Sequence, residues 1–143
     1  IGAGSGSIGI EWLLAHPANR AIAIEADPVR ATRARANALA LGVDRLEILE
    51  GGAPDTLPSS SPDAVFIGGG LSDALLTALW ARLSAGTRLV ANAVTLESEA
   101  LLALWQGKKG GSLLRIELAD AAPLGNRHGW RARYPVVQWS VTL

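Results

Sequence analysis

The sequence predicts an α/β fold: a mostly parallel sheet covered by helices and finished by an antiparallel strand pair. Three observations point there. Short apolar runs of strand length alternate with helical segments through most of the chain. The connections carry helix-start chemistry, most plainly at Asp27-Pro28. The C-terminal part breaks the rhythm with two strand-like runs in succession and no helix between them. At 143 residues the chain is expected to form one domain, residues 1–143, with a real core.

The elements follow in order. "IGAGSGSIGIEW" places Gly2, Gly4 and Gly6 in a loop that runs into a helical segment carrying Ile8, Ile10, Trp12, Leu13 and Leu14. A loop of this kind hangs from a buried strand, and Ile1 is not an initiator Met. The expectation is therefore a fragment whose first strand lies ahead of residue 1. Ala21 to Ile24 reads as a buried strand closed by Glu25. Asp27 can then accept from the free N–H groups of a new helix, and Pro28 suits the first helical position because its missing N–H would be unpaired there. That helix runs to about Leu41, with Gly42 as its stop and Arg30, Arg33 and Arg35 read as a solvated face. Leu46 to Leu49 and Asp63 to Ile67 read as strands, joined by the loop or weak helix "GGAPDTLPSSSP". After the "GGG" turn, Asp73 to Leu83 is a helix with Leu75, Leu76, Leu79 and Leu83 on one side. Thr87 to Ala91 is a strand and Glu97 to Trp105 a helix. Leu113 to Leu118 and Val136 to Leu143 read as the closing strands, separated by the loop "ADAAPLGNRHGWRARYP". In the second of them Val137, Trp139 and Val141 alternate with Gln138, Ser140 and Thr142.

Composition narrows the function classes. Lys plus Arg and Asp plus Glu each number 13, so zero net charge gives no general electrostatic case for nucleic acid or an anionic membrane. The chain has no Cys, which excludes disulfides, thiolate metal sites and cysteine nucleophiles. With only His16 and His128 as imidazoles, no metal site is expected. No apolar run has the length of a membrane span, so a cytoplasmic protein is the expectation.

Glycines at alternate positions let a ligand lie directly on backbone, while the following helix aims its free amides at it. Two ligand classes use such a loop: a dinucleotide through its pyrophosphate, or a sulfonium nucleoside through its amino-acid and ribose portions. Gly2, Gly4 and Gly6 give G-x-G-x-G, but Gly4, Gly6 and Gly9 also give G-x-G-x-x-G. Glu25, at the end of the next strand, stands where a ribose hydroxyl pair is bound in either case. The antiparallel final pair favours a methyltransferase sheet of seven strands over a dinucleotide-binding one. A nicotinamide-dependent oxidoreductase domain, a methyltransferase of protein or RNA, and a cofactor-binding remnant without turnover remain the alternatives.

The combination of "PDAVFIGGG" and "NAVTLESEALL", with "AIEADP", "EGGAPDTL" and "GWRARYPVVQWSV", is more specific. Over nearly the whole chain it resembles the decarboxylating precorrin methyltransferases of cobalamin biosynthesis. The resemblance implies a class I, Rossmann-like methyltransferase fold using S-adenosyl-L-methionine. It implies that Gly2, Ala3, Gly4, Ser5 and Gly6 hold the methionine portion and that Glu25, with Ala26 beside it, takes the ribose. Gly52 and Ala53 would lie beside the adenine; the family often has an acidic residue where Gly52 stands. The implied reaction methylates the carbon-15 bridge of a precorrin tetrapyrrole and removes carbon dioxide from the ring C acetate. A homotetramer and a fused upstream methyltransferase domain are implied by the same resemblance.

Asn92, Thr95 and Glu97, after the strand that ends near Ala91, are candidates for lining the substrate cleft and handling a proton. The plainer reading makes Thr95 a helix cap supported by Glu97. Arg127, Arg131 and Arg133, with His128 among them, could pair with the substrate's carboxylates, or form an ordinary basic loop. Gly68, Gly69 and Gly70 would let a flat macrocycle approach the backbone, or make a plain strand-to-helix turn. Trp12, Trp80 and Trp105 are read as core or subunit contacts, and Trp130 as a candidate for stacking on a ligand.

Overall fold

A computed structural model describes residues 1–143. Four helices and eight strands follow one another: α1 (Ser7–Ala15), β1 (Ile22–Glu25), α2 (Pro28–Ala40), β2 (Glu47–Glu50), β3 (Ala64–Ile67), α3 (Asp73–Arg82), β4 (Arg88–Ala93), α4 (Leu96–Lys109), β5 (Ser112–Ile116), β6 (Ala119–Leu124), β7 (Arg127–Ala132) and β8 (Val136–Thr142).

The helix starts are written in side chains. Asp27 accepts from the N–H groups of Val29 (2.8 Å) and Arg30 (3.1 Å), with Pro28 at the first turn of α2. Ser72 accepts from Leu75 N–H, and Thr95 from Ser98 N–H. In α2 the buried residues are Ala31, Ala34 and Ala38, small side chains on one face that bring the helix close to the sheet.

β1 and β2 form a parallel pair, while β3, β4, β8 and β5 form a second sheet in that order. β3 and β4 are parallel; β8 runs antiparallel to both β4 and β5, and its pairing with β5 is the closing antiparallel pair that two successive strands predict. Residues Ile1–Ala3 lie between the two sheets. Ile1 N donates to Phe66 O (2.8 Å), Gly68 N–H to Ile1 O (2.9 Å), and Ala3 N–H to Ile24 O (3.1 Å). The strand order therefore reverses at Ile1–Ala3, with β1 and β2 on one side and β3 and β4 on the other.

Two cores support this frame. One joins α1 and α2 to Ala23 and Ile48; the other packs α3 and α4 against Ile67, Leu89, Ala91 and Trp139. Trp139 is fully buried and stacks on Trp80 with ring centroids 6.2 Å apart, while Trp105 donates its indole N–H to Asp73. Trp80 and Trp105 are thus core residues, whereas Trp12 stays half exposed.

The segment expected as a loop between the closing strands is instead a hairpin. β6 and β7 pair antiparallel from Ala119↔Ala132 to Leu124↔Arg127, around Gly125 (φ +60°) and Asn126. The last helix also extends beyond its expected end, through Lys109.

Candidate functional site

The sheet order reverses where Ile1–Ala3 passes between β1 and β3, and a cleft of about 480 Å³ opens there at the carboxyl ends of the strands. Such a reversal leaves a crevice because successive connections depart to opposite sides. Four loops build it. The opening segment contributes Ile1, Gly2 and Gly4; the end of β1 and start of α2 contribute Ile24 to Asp27 and Arg30. Gly51, Gly52 and Ala53 come from the loop after β2, and Gly68 to Gly70 from the turn after β3.

Glu25 is the fixed point of this cleft. It is only 5% exposed, and its carboxylate spans two loops. Gly4 N–H donates to Oε2 at 2.7 Å and Asp27 N–H to Oε1 at 3.0 Å. Its backbone oxygen accepts from Gly51 N–H (3.0 Å), so a third loop is tied to the same residue. Each carboxylate oxygen accepts one bond here and retains lone-pair capacity for a ligand hydroxyl. Asp27 beside it has its carboxyl held below the usual range, chiefly by the Arg30 N–H.

The opening turn depends on close backbone approach. A Cβ on Gly2 would lie 2.5–2.7 Å from backbone atoms of Gly69, and its φ of +67° disfavours other residues. This contact seats the first glycine directly against the turn after β3. Cβ atoms built on Gly4, Gly52 and Gly70 would meet nothing within 4 Å, so absent side chains leave room there.

The cleft thus unites Gly2, Gly4, Glu25, Ala26, Gly52 and Ala53 with Gly68, Gly69 and Gly70. Ala3, Ser5 and Gly6 belong to the same turn but do not line it; Gly6 caps α1. Asn92, Thr95 and Glu97 lie outside its lining. Asn92 accepts from the Gln138 side-chain amide (2.9 Å), and Thr95 caps α4 with Glu97 in the first turn. Arg127 and Arg131 sit on the hairpin strand β7 and Arg133 just beyond it, all outside the cleft lining. Arg133 forms a fork with Asp120 (2.6 and 2.9 Å), and this pairing raises its pKa above the ordinary value. Arg30 is exposed, as sequence reasoning expected of a solvated face, and it also lines the cleft, which that reasoning did not foresee. Its place in the first turn of α2 was the available signal, since helical side chains lean toward the N-terminus.

A second hollow, of about 600 Å³, lies over Arg88, Val90, Ser112 and Ser140. It takes in the amino end of β4, whereas open α/β sheets bind ligands at the carboxyl ends.

Residues 1–143 match the precorrin methyltransferase domain family. A precorrin-6Y C(5,15)-methyltransferase (decarboxylating) from Sinorhizobium sp is 51% identical over 144 residues, covering 99% of this chain and 35% of the relative. The chain thus spans about a third of the length of that relative. A cobalt-precorrin-6B C(15)-methyltransferase (decarboxylating) from Salmonella typhimurium is 35% identical, covering 95% of this chain and 73% of the relative. Among solved structures, the C-terminal domain of precorrin-6Y C5,15-methyltransferase from Rhodobacter capsulatus superposes with a TM-score of 0.91 at 48% identity, covering 99% of this chain and 77% of that one.

Proposed function

The chain belongs to the precorrin methyltransferase domain family, and from that premise we propose that it holds S-adenosyl-L-methionine in the glycine-lined cleft. Its proposed reaction methylates carbon 15 of a precorrin and removes carbon dioxide from the ring C acetate. The observation that carries this reading is the buried Glu25 carboxylate, which ties the glycine turn to the start of α2 and keeps acceptor capacity free. The cleft also fits the group in size and shape. Its volume of about 480 Å³ is that of a small-ligand site, and Gly4, Gly52 and Gly70 leave open space where side chains would intrude.

Bound there, S-adenosyl-L-methionine supplies an electrophilic methyl group activated by the adjoining sulfonium. The amides of the Gly2–Gly6 turn and the start of α1 would receive the amino-acid portion, Glu25 the ribose hydroxyls, and Gly52 with Ala53 the base. Gly68 to Gly70 would let the macrocycle lie against backbone within the same cleft. On the substrate, the bond between the acetate methylene and its carboxylate breaks. Carbon dioxide leaves, and the electron pair passes into the conjugated ring, where it makes a bridge carbon nucleophilic. This step needs no protein nucleophile, so the residues act mainly by alignment. In this proposal Asn92, Thr95 and Glu97 border the substrate's approach, with Thr95 also serving as the cap of α4. Arg127 and Arg131 meet substrate carboxylates only if the hairpin reaches the bound macrocycle; Arg133 is already engaged by Asp120.

Carbon 15 is favoured by the lengths of the relatives. The chain spans 35% of the Sinorhizobium protein, named for positions 5 and 15, but 73% of the Salmonella protein, named for position 15 and decarboxylation. A homotetramer, a fused upstream methyltransferase domain and a cytoplasmic setting belong to the same proposal. The greater length of the first relative supports the second of these. No helix is long and apolar enough to cross a membrane.

Mass spectrometry of a precorrin incubated with the protein and S-adenosyl-L-methionine tests the reading. The expected product has gained one methyl and lost one carbon dioxide. A product methylated with its acetate intact would contradict the coupled reaction.

A further inference from the structure

Arg30 occupies a distinct place in the cleft. It lies in the first turn of α2, three residues after the capping Asp27. Helical Cα–Cβ bonds tilt toward the N-terminus, so a long side chain at this position leans back over the end of β1 rather than out along the helix. The structure has that geometry: Arg30 Nε lies 3.7 Å from Asp27 Oδ2, and Arg30 lines the cleft. Arg33, one turn further on, does not line it.

The rest of the cleft offers a nucleobase little to rest on. No aromatic ring lines it, and Gly51, Gly52 and Ala53 present backbone and a single methyl. Glu25, Ala26 and Asp27 on the facing side are anionic or small, and Arg30 at the start of α2 is the one cationic side chain in the lining. A guanidinium is flat, weakly hydrated and suited to lie on the face of an aromatic ring. Its side chain is 62% exposed without ligand, so it can swing onto a base without breaking a buried contact.

We propose that Arg30 is a nucleobase-binding residue whose guanidinium plane covers the adenine of the bound nucleoside, supplying the stacking surface that the glycine-rich wall lacks. This rests on the nucleoside reading of the cleft. It assigns Arg30 to the base and not to the amino-acid carboxylate.

Calorimetry with two ligands separates these roles: S-adenosylhomocysteine, and 5′-methylthioadenosine, which has the same base and ribose but no amino-acid portion. Arg30→Ala is expected to weaken both by the same factor, about fivefold. Arg30→Lys, which keeps the charge but loses the plane, is expected to remain weaker than wild type for both. Arg33→Ala serves as the control for general loss of positive charge and is expected to bind both as wild type does. An unchanged thermal midpoint of the unliganded Arg30 variants confirms that the fold is intact. Loss confined to S-adenosylhomocysteine, no loss at all, an equal loss in Arg33→Ala, or full recovery in Arg30→Lys would overturn the proposal. Failure of wild type to bind either ligand would instead overturn the nucleoside reading beneath it.

Discussion

Glu25 joins the glycine turn to the start of α2 through one carboxylate, and the two N–H groups it accepts come from different loops. A Glu25→Gln substitution keeps the shape but leaves one acceptor oxygen, and it turns an NH2 group toward a backbone donor. The unpaired donor lowers stability with or without ligand, whereas losing a charge-assisted hydrogen bond to a ribose hydroxyl, worth about 1.5–3 kcal/mol, should weaken S-adenosylhomocysteine binding by about tenfold or more in titration calorimetry. Unaltered affinity would mean that Glu25 holds the loops together without touching a ligand. This residue was legible from sequence because its spacing from the glycines and its place at a strand end are local facts. The cleft position of Arg30 was not legible: the residue is solvated, as its charge pattern along α2 suggests, and only its lean back past the helix start brings it to the cleft.

At the level of elements, the alternation of strands and helices could be read because short-range chemistry encodes it. Asp27-Pro28 starts α2, and alternating burial along Val137, Trp139 and Val141 marks β8. The hairpin β6–β7 escaped because Pro123 weakens a strand reading and Arg-rich β7 lacks apolar alternation. Gly125-Asn126 was the turn signal that could have revealed it. The hairpin changes the setting of the arginine cluster, since Arg133 is held by Asp120 and Arg131 pairs across from Asp120 in the ladder. Helix α4 poses a cleaner test of a candidate site residue. Thr95 accepts from Ser98 N–H, so Thr95→Ala should cost about 1 kcal/mol in denaturant unfolding, and Thr95→Asp should restore most of it. If turnover follows the same pattern of loss and recovery, capping accounts for Thr95. Turnover that stays low in a stability-restored Thr95→Asp protein would assign its hydroxyl to the substrate.

Across the whole molecule, the two cores hold separate sheets, and Ile1–Ala3 hydrogen-bonds to both at the point where strand order reverses. That reversal gathers four glycine-containing or strand-end loops that are far apart in sequence. The glycine pattern, the strand ends and, for Gly52 and Ala53, the family resemblance pointed to these loops, but their convergence depends on long-range pairing such as Gly68 N–H to Ile1 O and on the seating of Gly2 against Gly69. In the proposed function this cleft takes an S-adenosyl nucleoside and not a dinucleotide, although the glycine pattern alone permits either. Titration of the protein with S-adenosylhomocysteine and, separately, with NADH tests it most directly. Saturable one-to-one binding of S-adenosylhomocysteine, with NADH weaker or silent, is the predicted result; tighter binding of NADH would contradict it.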